Sequence, residues 1–323
     1  MRCIVTGCAG FIGSSLCDAL LVQGHEVTGI DCFIPYYPRE LKESNLSGAR
    51  SNGKFRFVER DICDVFETGS STVAELLDGV DVVFHQAAQA GVRASWGKDF
   101  EIYTHNNVLG TQKLLEACRP RPGIKVVYAS SSSVYGETER FPMSEDDPTA
   151  PVSPYGVSKL AAEHLTRLYT HNFGLHTVSL RYFTVYGPRQ RPDMAFHRVI
   201  KSILKGEEFH LFGTGDQTRD FTFIRDIVDA NIRAAASGKP GAVYNLGGGT
   251  RISMNDVIKL IEKVTGRPAK VLREDRQSGD VTNTGADVSR AKADLGFVPA
   301  VQLEEGLTRE AQFIKDVVLP LER

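Results

Sequence analysis

Tyr155 and Lys159 stand four residues apart in Tyr155-Gly156-Val157-Ser158-Lys159, a spacing that puts both on one face of a helix. A free phenol titrates near pH ~10, too high for an efficient base at neutrality. A neighbouring ammonium favours the phenolate and lowers that value, so the pair reads as a proton-transfer unit. A further positive charge beside the pair would act in the same direction. Upstream, Ser130-Ser131-Ser132-Ser133-Val134-Tyr135-Gly136 ends an apolar run with hydroxyls. A hydroxyl there can share a proton network with Tyr155 and a substrate alcohol.

A second group lies at the beginning of the chain, in Thr6-Gly7-Cys8-Ala9-Gly10-Phe11-Ile12-Gly13. Gly7, Gly10 and Gly13 sit between a strand pattern and a helix pattern. They suit a tight turn, close approach of backbone to a pyrophosphate, and close helix–strand packing. The helix that opens at Phe11 and Ile12 presents free N–H groups and a positive dipole end to the phosphates. The spacing is GxxGxxG rather than GxGxxG. Asp31 ends the next strand-like run, 18 residues after Gly13. Its carboxylate can accept from the adenosine ribose and repels a 2′-phosphate, which selects NAD over NADP. Asp61 and Ile62, after the third run, are placed to meet the adenine edge. Ala87 and Ala88, after the fourth, are small enough to let the cofactor lie against the backbone.

The elements that must position these groups follow from periodicity. Strand-like runs at Cys3–Thr6, Glu26–Ile30, Phe55–Val58, Asp81–His85, Lys125–Ala129 and His176–Arg181 alternate with helix-like runs that include Phe11–Gln23, Phe100–Cys118 and Tyr155–His171. Alternation of this kind predicts an α/β fold with a doubly wound parallel sheet, whose ligands bind beyond the carboxyl ends of the strands. After about residue 182 the pattern changes to short strands and scattered helices broken by Gly and Pro. The expected organisation is a dinucleotide-binding Rossmann domain over 1–182 and a smaller mixed α/β substrate domain over 183–323, with some later segments returning to the first.

Composition narrows the function classes. The chain has 323 residues, 41% of them hydrophobic and 24% charged, and its 38 Lys+Arg against 40 Asp+Glu leave a net charge of −2. That balance argues against a nucleic-acid or anionic-membrane partner. No apolar run is long enough to span a bilayer, and the first residues already read as a strand rather than a secretory leader. All six cysteines fall within the first 118 residues, with no CxxC pair and no histidines at metal-ligand spacing. Reduced thiols in a cytoplasmic protein, and no metal, are expected.

Glycine loop, serine cluster and YxxxK, in this order, resemble the extended short-chain dehydrogenase/reductase family, the sugar-nucleotide epimerases and dehydratases. The resemblance covers essentially the whole chain. It implies tightly bound NAD, a UDP-sugar substrate and a homodimer. By motif position, Ser131 matches that family's catalytic Ser/Thr, Tyr155 its base and Lys159 the partner of the base.

The second half offers groups for a nucleoside diphosphate. Arg198 and Arg219 are candidate clamps, because guanidinium matches phosphate oxygens bidentately. Phe212 matches the aromatic that packs on uracil in similar enzymes. Arg276 and Asp280 fall where the family contacts phosphate and uridine ribose, with a local spacing one residue off the galactose-epimerase pattern. The run from Arg181 to Phe196, together with Gly91-Val92-Arg93 and Ser95-Trp96, resembles the UDP-glucuronate 4-epimerases. That resemblance implies Ser132, Ser133, Thr184 and Arg191 around the sugar carboxylate, with Phe196 in the substrate-binding set. The expected reaction is NAD-dependent C4 epimerisation of UDP-glucuronate to UDP-galacturonate through a 4-keto sugar. Ser133 stands where related decarboxylases carry Glu, and Ser132 and Ser133 offer no acid pair of the kind 4,6-dehydratases use. Dehydration is therefore disfavoured. Decarboxylation to UDP-xylose, or 4-epimerisation of another UDP-sugar, is the alternative. A non-catalytic dinucleotide sensor on the same fold would lack the Tyr or the Lys, and this chain has both.

Overall fold

In the computed structural model, residues 1–67, 71–275, 279 and 281–322 are described. The apolar runs of the first half become parallel strands because both of their faces are covered by helices. In chain order the elements are β1 (Arg2–Thr6), α1 (Phe11–Val22), β2 (Glu26–Asp31), α2 (Arg39–Arg50), β3 (Phe55–Glu59), α3 (Ile62–Val65), α4 (Ser71–Leu77) and β4 (Val82–His85). There follow α5 (Phe100–Tyr103), a π-helical stretch (Thr104–Leu109) and α6 (Gly110–Cys118), which form one continuous rod. Next come β5 (Lys125–Ser131), α7 (Pro154–Phe173), β6 (His176–Tyr182), β7 (Thr184–Tyr186), α8 (Ala195–Lys205), β8 (Glu208–Phe212), β9 (Thr218–Phe223) and α9 (Ile224–Ser237). The chain goes on through β10 (Val243–Leu246), β11 (Arg251–Ser253), α10 (Met254–Thr265), β12 (Lys270–Glu274), α11 (Ser289–Leu295) and α12 (Leu303–Phe313), which continues into a π-helical stretch (Ile314–Val318) and a last short helix, α13 (Leu319–Leu321).

Seven strands form one sheet in the order β10-β6-β5-β4-β1-β2-β3, every neighbouring pair parallel. This is the doubly wound Rossmann arrangement. Strand order reverses between β1 and β4, so the loops after these two strands open the crevice in which such sheets bind ligands. Helices α1, α2 and α9 cover one face and α6 and α7 the other. Two smaller sheets lie in the second half: β11-β9-β7, where β9 pairs parallel with β7 and antiparallel with β11, and the parallel pair β12-β8. β10, from the second half of the chain, is the outermost strand beside β6.

Buried polar groups tie α7 to the sheet. Glu163 on α7 and Arg181 on β6 form a bidentate pair (Nη2–Oε1 2.6 Å, Nε–Oε2 3.0 Å) with almost no exposure. Ser130 donates to the same carboxylate at 2.6 Å, and Arg181 reaches on to the Tyr135 hydroxyl at 2.8 Å. With every polar atom partnered, this network fixes the register of α7 against β5 and β6.

Candidate active site

The glycine edge of the crevice is shaped by backbone rather than side chains. Gly7 has φ +67°, and a Cβ there would lie 2.8 Å from the Ala87 backbone. At Gly13 a Cβ would fall 2.1 Å from the Gly7 carbonyl oxygen, so the first turn of α1 can pack on the end of β1 only without a side chain. No acidic residue and no side-chain cap occupies the N-terminus of α1, which leaves its N–H groups and dipole for an anion. Gly7, Gly10, Phe11, Ile12, Gly13, Asp31, Ile62, Ala87 and Ala88 all border one open cleft of about 1130 Å³. Asp31 accepts from Ala9 N at 3.0 Å and Phe33 N at 2.8 Å. Burial pushes its carboxyl up, against those bonds and the Lys42 charge. Asp61 stands at the rim, where Oδ1 accepts from Cys63 N at 2.7 Å and lies 3.2 Å from His105 Nε2. The cradle fits a dinucleotide: glycine where the backbone must be approached, a free helix N-terminus for the pyrophosphate, a carboxylate for the ribose.

Tyr155, Lys159 and Ser130 line the same cleft. Ser153 caps α7 by accepting from Gly156 N at 3.1 Å, and that cap starts the helix so that Tyr155 and Lys159 point inward one turn apart. Ser131, at the end of β5, hydrogen-bonds Tyr155 and accepts from Ser133 N at 3.1 Å. Burial raises the Tyr155 phenol, while the Ser131 hydrogen bond and the Arg191 charge pull it down. Lys159 is 2% exposed, with Nζ 4.5 Å from the Tyr128 ring centroid. Burial pushes its ammonium down to about 7, partly offset by Glu163.

Arg191 also reaches this cleft, but its guanidinium is already engaged. It pairs bidentately with Asp193 (Nε–Oδ1 3.0 Å, Nη2–Oδ2 2.9 Å), and Tyr36 donates its hydroxyl to Asp193 Oδ2 at 3.2 Å. Burial works to raise Asp193, yet Arg191 and these hydrogen bonds hold it below the usual carboxylate range. Ser132 and Ser133 form the 3₁₀ turn after β5, and Thr184 opens β7 directly after β6. Farther out, Arg93 and Arg198 lie 4.3 Å and 5.8 Å from the Phe212 ring centroid. Two cations sharing one ring make a corner suited to a diphosphate. Arg198 is lowered first by burial and then by the Arg93 charge.

Other residues fall elsewhere. Phe196 is 1% exposed and packs against Phe221 and Tyr186, with centroids 4.4 Å and 5.3 Å away. Its side chain is core, and the aromatic cluster explains its place in the motif. Arg219 donates to the carbonyls of Thr218 at 3.0 Å and Thr282 at 2.8 Å, bracing the 281–282 backbone. Arg276 and Asp280 lie outside the described residues. Gly279 approaches Val92 and Trp96.

Four polar residues at the site were not singled out from the sequence. Asn107, in the π-helical stretch, accepts from Gln89 N at 2.7 Å and donates to the Ser158 hydroxyl at 2.9 Å; it joins the loop after β4 to the catalytic helix. Lys42 and Asn45 lie on the buried face of α2, where Asn45 donates to the Ala9 carbonyl at 3.1 Å. Tyr36 lines the cleft beside Arg191. The one available signal was a pair of asparagines, Asn106 and Asn107, in an otherwise helix-forming run.

Comparison with known proteins agrees with this geometry. Residues 3–247 match the model of the NAD dependent epimerase/dehydratase family. A Bacillus subtilis protein named as an uncharacterized UDP-glucose epimerase, YtcB, is 46% identical over 98% of this chain and 99% of its own length. The UDP-glucuronate 4-epimerase of Thermodesulfobacterium geofontis is 39% identical over 97% of this chain and 96% of its own. The crystal structure of UDP-glucuronic acid 4-epimerase from Bacillus cereus, in complex with UDP-glucuronic acid and NAD, superimposes with a TM-score of 0.93 at 45% identity. It covers 98% of this chain and 100% of that one.

Proposed function

This chain belongs to the NAD dependent epimerase/dehydratase family, and from that membership we propose that it is an NAD-dependent isomerase that interconverts UDP-glucuronate and UDP-galacturonate at C4, keeping the carboxylate. The observation that carries the reading is one cleft bordered by the glycine cradle, Tyr155, Lys159 and Arg191 together. The solved relative with this fold holds UDP-glucuronic acid and NAD.

Bound NAD supplies the acceptor and donor of the C4 hydride. The remaining work falls to side chains. Gly7, Gly10, Gly13 and Asp31 hold the dinucleotide, with Asp61, Ile62, Ala87 and Ala88 along the adenine and backbone side. Tyr155 takes the proton of the C4 hydroxyl as the phenolate and later returns it to the C4 oxygen of the turned keto sugar. Ser131 hydrogen-bonds the phenol and keeps it aligned with the alcohol. Lys159 contributes positive charge and a donor to the ribose.

The intermediate 4-ketouronate is a β-keto acid. It loses CO₂ when the bond to its carboxylate aligns with the ketone π system. Ser132, Ser133, Thr184 and Arg191 are the groups we assign to hold that carboxylate out of alignment. Arg93, Arg198 and Phe212 take the diphosphate and the base. Arg276 and Asp280 remain assigned to phosphate and ribose by family position, and Arg219 braces the backbone at Thr282.

The division into a dinucleotide part, 1–182, and a substrate part, 183–323, belongs to the same reading; β10 is the segment that rejoins the first sheet. A cytoplasmic setting fits the six free thiols. Among the described residues, no helix is long and apolar enough to cross a membrane. Pairing of two copies is supported by apolar side chains exposed on neighbouring helices, argued below.

Incubation with UDP-glucuronate and mass-resolved separation of the products tests the activity. UDP-galacturonate at unchanged mass is expected, and a product lighter by CO₂ would replace this reading with decarboxylation. Arg191→Ala should weaken the uronate far more than neutral UDP-glucose; equal losses would reject the carboxylate assignment.

A further inference from the structure

An epimerase that turns a keto sugar over in its pocket must grip the carboxylate and then let it go. The arrangement around Arg191 bears on the second half of that task. Its guanidinium is held through Nε and Nη2 by Asp193, two residues along the same loop. The side chain of Arg191 is 21% exposed and that of Asp193 40% exposed, so the arginine faces the cleft while its carboxylate partner stands nearer to solvent. Tyr36 donates to Asp193 Oδ2, the oxygen that also accepts from Arg191 Nη2, at 3.2 Å, and its ring centroid lies 5.8 Å from the Arg191 Cζ. The loop after β4 fixes Tyr36 in turn: a Cβ on Gly91 would come 2.4 Å from the Tyr36 hydroxyl oxygen. Tyr103 donates to the carbonyls of Ala90 and Gly91 at 3.1 Å and 2.7 Å.

We propose that Asp193 is a positioning residue that acts through Arg191 as a standing counter-ion: it keeps one edge of the guanidinium neutralised, so the sugar carboxylate is held loosely enough for the 4-keto sugar to rotate. This rests on the function proposed above. A guanidinium carries five N–H donors in a planar array; Asp193 takes the Nε and Nη2 edge, which leaves the Nη1 side for a second carboxylate. Two carboxylates on one guanidinium repel, so a bound uronate is held less tightly than an unopposed arginine would hold it. When the keto sugar turns, its carboxylate must leave Arg191. Without Asp193 that departure strands a partly buried cation; with Asp193 the cation stays paired, and Tyr36 holds that carboxylate in place.

The test is Asp193→Asn, which keeps shape and hydrogen bonding and removes the charge. Its KM for UDP-glucuronate should fall several-fold while kcat falls about tenfold, the split expected when ground-state grip is gained and a later step is slowed. Because C4 oxidation precedes rotation, reduced-cofactor absorbance and 4-keto sugar should build up in the steady state of the variant and not of the unaltered enzyme. Retained NAD shows that the variant is folded. Tyr36→Phe should move both constants in the same direction by less. A higher KM with unchanged kcat would make Asp193 a simple anchor for Arg191 and overturn the proposal, as would a kcat loss without reduced cofactor. If the unaltered enzyme fails to turn over UDP-glucuronate, the functional reading falls and this inference with it.

Discussion

Tyr155 is not made basic by the protein alone. Burial raises the phenol, and only the Ser131 hydrogen bond and the Arg191 charge oppose it. Lys159, which the sequence suggests as the lowering charge, sits in a site where its own ammonium is pushed down to about 7 by burial. The pair is therefore poised rather than fixed. Added positive charge from the oxidised nicotinamide favours the phenolate at the stage when a base is needed, and loss of that charge favours the phenol when an acid is needed. Tyr155→Phe removes the proton carrier and leaves the cradle intact. Turnover should fall by roughly 10²–10⁴-fold, with NAD still bound by absorbance of the purified protein; near-normal kcat would remove Tyr155 from the chemistry. The grouping of Tyr155, Lys159 and Ser131 was legible in the sequence because it follows from residue type and spacing. Asp193 was not, since its significance comes from a pairing geometry that spacing cannot give. Phe196 lies inside the substrate motif, and its side chain packs in the core beneath it.

Strands and the long helices could be read to within a residue or two, because each carries an unbroken apolar period: Lys125–Ala129 became Lys125–Ser131, and His176–Arg181 became His176–Tyr182. α2 escaped because its buried face includes Lys42 and Asn45, polar residues whose partners are the Ile34 and Ala9 carbonyls. β7, β11 and β12 are too short or too exposed to show alternation. The joint between β1 and β4 has its own testable physics. His85 Nδ1 meets the Thr6 hydroxyl at 2.8 Å, its Nε2 meets Thr111 at 2.9 Å, and Thr6 accepts from Ala87 N at 3.1 Å. Since Thr111 donates to the Asn107 carbonyl, the chain of donors calls for a neutral Nε2–H imidazole. Burial, with the Lys159 charge second, pushes His85 down from 6.5 to about 3. Between those values the unfolded chain binds a proton that the folded one does not, so acidification across pH 6.5 to 3 costs stability, up to roughly 5 kcal/mol. His85→Gln can keep both hydrogen bonds and should flatten the acid limb of unfolding free energy in denaturant titrations; an unchanged limb would refute this. At the other side of the crevice, Gly13→Ala drives a Cβ into the Gly7 carbonyl. It should yield protein that no longer copurifies with NAD, and a cofactor-replete variant would show that α1 can shift.

At the scale of the whole molecule, the helix that carries Tyr155 also exposes apolar side chains. α7 and the α5–α6 rod pack side by side on one face of the sheet, and their outer surface exposes Ile102, Leu109, Val157, Leu168 and Phe173. Leu168 and Phe173 are 52% and 53% exposed, on helices whose inner faces are already satisfied. Apolar residues shared between adjacent helices suit a twofold contact, in which each copy lays the same two helices against its partner's. Such a contact would brace α7 from outside while the Glu163–Arg181 network holds it from inside, so assembly and catalysis would share one element. Sedimentation equilibrium should give about twice the 35.5 kDa chain mass for the unaltered protein. The double variant Leu109→Glu with Leu168→Glu buries two charges in that contact and should sediment as single chains. Because α7 loses its outer support, kcat should drop more than NAD retention does. A single-chain mass for the unaltered protein, or an assembly indifferent to both glutamates, would place the contact elsewhere and leave these side chains as ordinary exposed surface.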